Sequence, residues 1–165
     1  MKQLFLLLLL LCFRFSFAQC SLKKQLQQDF LESRKKPYSM HSIWYAQDTV
    51  SIVSKDTIIL HNNPQYRSKT GSVCKLLALS FTSRTSFTQS AYFPCMGHGY
   101  FVTSLDGSGM YSFSIRENSG KTYLKFIDYQ RNTYWFEATR SLEYNLAYKR
   151  NFPAINLMRL KHRPI

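Results

Sequence analysis

Four histidines, His41, His61, His98 and His162, are the residues of this chain best placed by type to do acid–base or metal chemistry. None belongs to a His-x-x-x-His pair or to a Cys/His array with zinc spacing. Cys95-Met96-Gly97-His98 is a lone Cys-x-x-His, half of a metal site. It reads more simply as a loop that sets a disulfide cysteine beside a polar His. Gly107-Ser108-Gly109 puts a Ser between glycines, but a nucleophile elbow needs Gly-x-Ser-x-Gly between a strand and a helix. Asp106-Gly107 is the better turn signal. The nine carboxylates form no close pair sharing one expected site, so hydrolysis by paired carboxylates has no support. No catalytic residue, metal ligand set or cofactor can be named from these patterns. An enzyme would need a site assembled from distant strands.

Binding chemistry has more to work with. Trp44, Tyr111, Phe113, Phe126, Tyr134, Phe136 and Tyr144 fall in positions that face the inside of a sheet. They either line a pocket for a small apolar ligand or fill a core, which is how most interior positions of small barrels are used. Buried Tyr hydroxyls would need partners and would make such a pocket semi-polar. Lys and Arg at its rim would suit an anionic head on an amphipathic ligand. Tyr123-Lys125 and Tyr148-Lys149-Arg150 interleave rings and cations as single-stranded nucleic acid binders do. The export signal described below argues against that partner.

The elements that must position these residues centre on Gly109 to Arg150. Tyr111, Phe113 and Ile115 alternate with Ser112, Ser114 and Arg116, the two-residue period of a half-buried strand. After the turn signal Glu117-Asn118-Ser119-Gly120, Thr122, Leu124 and Phe126 alternate with Tyr123, Lys125 and Ile127. A polar corner at 128–132 leads to Tyr134, Phe136 and Ala138, and Arg140-Ser141 separates these from a strand over Leu142 to Tyr148. Short corners between strands dictate an antiparallel meander, because a parallel return needs a crossover of a dozen residues or more.

The chain begins with an address. Lys2, the apolar run Leu4 to Phe13 and the small-x-small site Ser16-Phe17-Ala18 make residues 1–18 a signal peptide, too short to span a bilayer. The expected product is periplasmic or secreted. Phe17-Ala18-Gln19-Cys20 also resembles a lipoprotein box, which offers the second route of lipidation at Cys20 and a membrane anchor. Membrane association follows only from that route. The formal charge is +13, and removing Lys2 and Arg14 leaves 20 basic residues against 9 acidic, or +11. Such a field favours anionic partners, although the charges are scattered along the chain. Residues 19–41 hold an amphipathic helix over Ser21 to Lys36, with Leu22, Leu26 and Phe30 on one face, and a linker. The helix is expected to act as a lid or plug on the domain.

Residues 42–165 form the β domain and end in a basic tail. Its strands are expected at Ser42 to Tyr45, Val50 to Ile52, Thr57 to Leu60, Val73 to Thr82 and Phe87 to Phe93, then the meander, then Ile155 to Lys161 beyond a break at Phe152-Pro153. Five of the six glycines fall between Gly97 and Gly120, which marks a loop ahead of the meander. Eight to ten short strands make an all-β, antiparallel up-and-down barrel with a short N-terminal helix the simplest architecture, since closure leaves no unpaired edge. If Ser83 to Ser86 is a four-residue hairpin loop, Thr82 faces Phe87, and counting outward sets Cys74 opposite Cys95, within disulfide reach.

An N-terminal helix leading to Trp44, Leu79-Ser80-Phe81, and a terminal meander entered by Gly109-Met110-Tyr111 with Leu142 to Arg150 near its end resemble lipocalin-like exported bacterial proteins. The likeness covers most of residues 42–161. It implies an up-and-down barrel, in some members with an interior pocket for a small apolar ligand. Two functions follow as expectations: an exported carrier of a small apolar or anionic amphipathic ligand, or an exported protein-interaction or inhibitor module whose barrel is filled.

Overall fold

The structure is a computed structural model that describes residues 21–35, 43–47, 49–62, 74–95, 99–145 and 149–164. Residues 1–18, expected as a signal peptide, and Cys20, His41 and His98 lie outside the described residues. A helix, α1 (Leu22–Lys35), precedes nine strands: β1 (Ile43–Ala46), β2 (Thr57–His61), β3 (Leu76–Phe81), β4 (Ser86–Phe93), β5 (Tyr100–Thr103), β6 (Met110–Asn118), β7 (Lys121–Asp128), β8 (Thr133–Asn145) and β9 (Arg150–Leu160). Eight of them close into an antiparallel up-and-down barrel in the order β3-β1-β2-β9-β8-β7-β6-β4, with β3–β4 pairing sealing the ring. β5 lies outside it, on β4.

Alternation explains the closure. Trp44, Leu60, Leu79, Phe87, Phe113, Leu124, Phe136 and Leu157, one from each barrel strand, belong to a single buried cluster. The polar residues between them face outward. Closing the β6–β7 hairpin takes two residues, Ser119 at φ 50° and Gly120 at φ 75°, between the paired Asn118 and Lys121. Two positive φ values in succession match the right-handed twist of the strands they join.

The ring departs from chain order at one place. β2 lies between β1 and β9, so β2 and β3 are both antiparallel to β1 and parallel to each other. Residues 62–75 supply the long connection that a parallel return requires. β1 and β3 are buried on both faces. Their second faces, with Tyr92 of β4, form a smaller cluster of Ile43, Tyr45, Leu76, Ala78 and Tyr92. Leu76 to Leu79 is accordingly continuous apolar sequence rather than an alternation.

Both ends of the barrel are occupied. At one end Ser21 caps α1, its Oγ accepting from the Lys24 N–H at 3.3 Å, and Leu26, 1% exposed, enters the core with Leu22 beside it. At the other end Ile52, 0% exposed, is driven into the same core. Residues Val50 to Ile52, expected as a strand, are instead part of a turn. The reason is Gln89, whose Oε1 accepts from the Ile52 N–H at 3.0 Å and from Ser51 Oγ at 3.3 Å. A side chain thus replaces the ladder that a strand partner would have supplied.

Three further expectations are corrected. The β3–β4 register pairs Phe81, not Thr82, with Phe87. Residues directly opposite share a face, and Phe81 and Phe87 both point inward, with ring centroids 6.0 Å apart. Arg140-Ser141 does not break a strand: β8 pairs with β9 without interruption from Trp135↔Leu160 to Asn145↔Arg150. Nor does Phe152-Pro153 break away. Pro153 sits within β9 just outside the β2 pairing, which covers Ala154 to Met158, so its missing N–H costs no ladder bond on that side.

Candidate functional site

Five of the seven candidate wall residues, Trp44, Tyr111, Phe113, Phe126 and Phe136, meet in the barrel interior. Four of the five are linked by ring contacts, with Phe87 of β4 at the centre. Phe87 stacks on Tyr111 with centroids at 5.1 Å and meets Phe126 edge-on at 5.3 Å, and Phe126 reaches Phe136 at 5.3 Å. Contact at these separations is the geometry of a packed aromatic core. Tyr134 packs against its margin, half-buried. Tyr144 is 44% exposed and stands apart, in the part of β8 that projects beyond the core.

Around the Ile52 end the interior becomes polar. The Tyr111 hydroxyl and Ser51 Oγ are 3.3 Å apart, the Tyr134 hydroxyl donates to Asp128 Oδ2 at 3.0 Å, and Arg159 Nη1 donates to the Val53 carbonyl at 3.0 Å. Burial pushes the Tyr111 phenol upward against the opposing pull of Ser51, and burial with the Asp128 carboxylate pushes Tyr134 the same way. Burial also raises Asp128, but hydrogen bonds from Asn132 and Tyr134 outweigh it, and its carboxyl sits below the usual range. These groups hold neutral phenols and a carboxylate at neutral pH, with each hydroxyl committed to a partner. They fasten the turn over the barrel end and offer no poised nucleophile or base.

The exposed chemistry lies elsewhere. β4 is shared by two strands along one side: Ser86 to Thr88 pair with β6, and Ser90 to Phe93 pair with β5. Residues 104–109 leave the sheet opposite Gln89, and the strand resumes at Met110. β5 is held by ring stacking, Tyr92 on Phe101 at 4.6 Å and Phe93 on Tyr100 at 4.9 Å, and by the Ser90–Thr103 hydroxyl pair at 2.7 Å. Its far side pairs with no strand among the described residues. All four of its residues are exposed, with Val102 at 52% and, just beyond it, Leu105 fully open. Cys74 and Cys95 form a disulfide with Cα atoms 5.0 Å apart, directly before β3 and after β4. It pins the end of β4 that carries β5.

No family model, curated protein or solved structure matches this chain. Among the described residues no three His, Cys, Asp or Glu side chains come together as a metal site. His61 is 4% exposed on the outer side of β2, opposite Tyr45, and burial pulls its pKa down to about 4. His162 is exposed beyond β9. β5 is not among the strands expected from the sequence, where the surrounding glycines point to a loop. Tyr100-Phe101-Val102-Thr103, four strand formers in a row after Gly99, is the signal that points to it.

Proposed function

We propose that this is an exported protein-interaction module that works through its surface, the β5 edge, rather than a carrier that works through its interior. The observation that carries this reading is an apolar, one-sided edge strand on a barrel otherwise closed. Natural edges are blunted with Lys, Pro or bulges, whereas β5 offers Tyr-Phe-Val-Thr. An extended segment of a partner protein would add antiparallel to β5, its backbone completing the ladder and its alternate side chains resting on Phe101 or on Tyr100 and Val102. The disulfide beside it suits an oxidising compartment and keeps the edge preformed. A lipocalin-like kinship accommodates the barrel and its helix, but a ligand inside would have to displace Leu26 or Ile52 and part rings already in contact.

The test is photo-crosslinking in exporting cells, with a benzophenone side chain at Val102 and, as control, at Ser112 on the exposed face of β6. A discrete adduct from position 102 alone, competed away by wild type but not by Val102→Lys, supports the module. Equal labelling from both positions overturns it. So does one-to-one, saturable binding of a fluorescent fatty acid that Phe136→Ala abolishes, since that result restores the carrier.

A further inference from the structure

On the outer face of the barrel, cations from β6 and β7 gather around Trp135 of β8. Arg116 of β6 and Lys125 of β7 lie over the Trp135 ring, 5.5 Å and 5.8 Å from its centroid. At the adjoining barrel end Arg159 lies 5.1 Å from the centroid of Tyr134. Beyond β9, residues 161–164 lie along two grooves. One, of about 620 Å³, runs between Thr133, Trp135 and Arg159 on the barrel and Lys161, His162 and Arg163 on the tail. The other, of about 690 Å³, has Arg116 and Tyr123 on the barrel and Arg163 and Pro164 on the tail. Arg163 belongs to both.

Cations outnumber carboxylates on this face. Among the described residues, Arg116, Lys125, Lys161 and Arg163 take part in no ion pair, while the pair that does form, Lys121–Glu137 at 3.1 Å, uses up a neighbouring carboxylate. Asp56 in the first groove and Glu117 in the second are the carboxylates among the lining residues. Because Arg163 lines both grooves, the two together offer cations to more than one anionic group.

We propose that the two grooves bind a linear anionic polysaccharide, with Arg116, Lys161 and Arg163 meeting successive carboxylate or sulfate groups. Charge complementarity selects a polyanion, and the aromatic geometry selects among polyanions. Single-stranded nucleic acid binders offer open ring faces on which bases stack. Here Trp135 is only 8% exposed beneath Arg116 and Lys125, and Arg159 covers a face of Tyr134. A chain of sugar acids needs the cations and not the rings. An anionic membrane would be met best by a flat or protruding face with apolar anchors, and this one is concave.

Titration of the mature protein with a heparin-derived octasaccharide, read by Trp fluorescence and by calorimetry at low and at physiological salt, tests the proposal. Saturable binding that weakens with salt is expected, with Arg163→Ala and Arg116→Ala each raising Kd about fivefold. Arg84→Ala, which removes the same charge from the β3–β4 turn, should leave Kd unchanged. Unfolding midpoints of the three variants show that each is folded. An equal loss in Arg84→Ala means diffuse attraction and overturns the site. Absence of saturable binding, tighter binding to a single-stranded oligonucleotide of equal charge, or tighter binding to vesicles rich in anionic lipid overturns the polysaccharide.

Discussion

Gly109 and Gln89 approach so closely that a side chain at Gly109 has nowhere to go: a Cβ there would lie 2.7 Å from the Gln89 carbonyl oxygen. The Gln89 N–H donates to the Gly109 carbonyl at 2.8 Å, and the Gln89 side chain reaches the Ile52 turn. One residue of β4 thus holds the start of β6 with its backbone and a barrel end with its amide.

Gly109→Ala is expected to cost about 1–3 kcal/mol, because backbone rather than a flexible side chain must move. Urea denaturation measures it. The amide of Ile52 should exchange faster in the same variant, since a displaced Gln89 loosens its bond to the turn. Unchanged stability and unchanged exchange would mean that the two backbones are not in contact. Gly107→Ala is the informative partner: nothing lies within 4 Å of its missing Cβ, but its φ of 80° should still cost roughly 1–2 kcal/mol.

Replacing Cys74 and Cys95 by Ser should lower stability by about 3 kcal/mol, as expected for a crosslink spanning 21 residues. The loss should appear in wild type on adding reductant and be absent from the double variant. Hydrogen exchange should rise first in β5 and the adjoining half of β4. Peptide mapping that finds free thiols at both positions in oxidised protein rejects the bond.

His61 makes stability depend on pH on the acid side of neutrality. Its folded pKa is lowered to about 4 by burial, so the folded protein keeps it neutral where the unfolded chain, near 6.5, takes up a proton. Its contribution is therefore complete above about pH 7 and declines as the pH falls toward 4. Between pH 7.5 and pH 5 this amounts to about 2 kcal/mol. His61→Gln should flatten that part of the profile. An undiminished slope in the variant would assign it to other groups.

The interior was legible in the sequence wherever one strand face is wet. Leu77, Leu79 and Phe81, or Thr122, Leu124 and Phe126, declare their face by alternation, and the barrel places them there. Alternation alone does not declare neighbours. Val50-Ser-Ile52 alternates as well as any strand, yet a single amide from β4 claims it for a turn. Arg140-Ser141 suggests a corner because both are polar, yet they pair with the buried Ile155 and Ala154 of β9 and the ladder runs straight through them. The candidate sites were the least legible part. Trp135 faces outward and was not among the aromatic candidates, and the cations that surround it come from three strands and the tail. Lys161-His162-Arg163 was visible only as a basic end to the chain.

The place of β2 between β1 and β9 governs the order in which the chain can be completed. Thr57 to His61 must wait for Ala154 to Met158, the last strand to be made. Until synthesis reaches that point, Ile58 and Leu60 have one neighbouring strand where the finished barrel gives them two, and the unfinished chain is an open sheet with an apolar inner face. A chain that stops before residue 154 would lack not a tail but the stave that closes the cask, and both newly bared strands would be free to pair with another molecule.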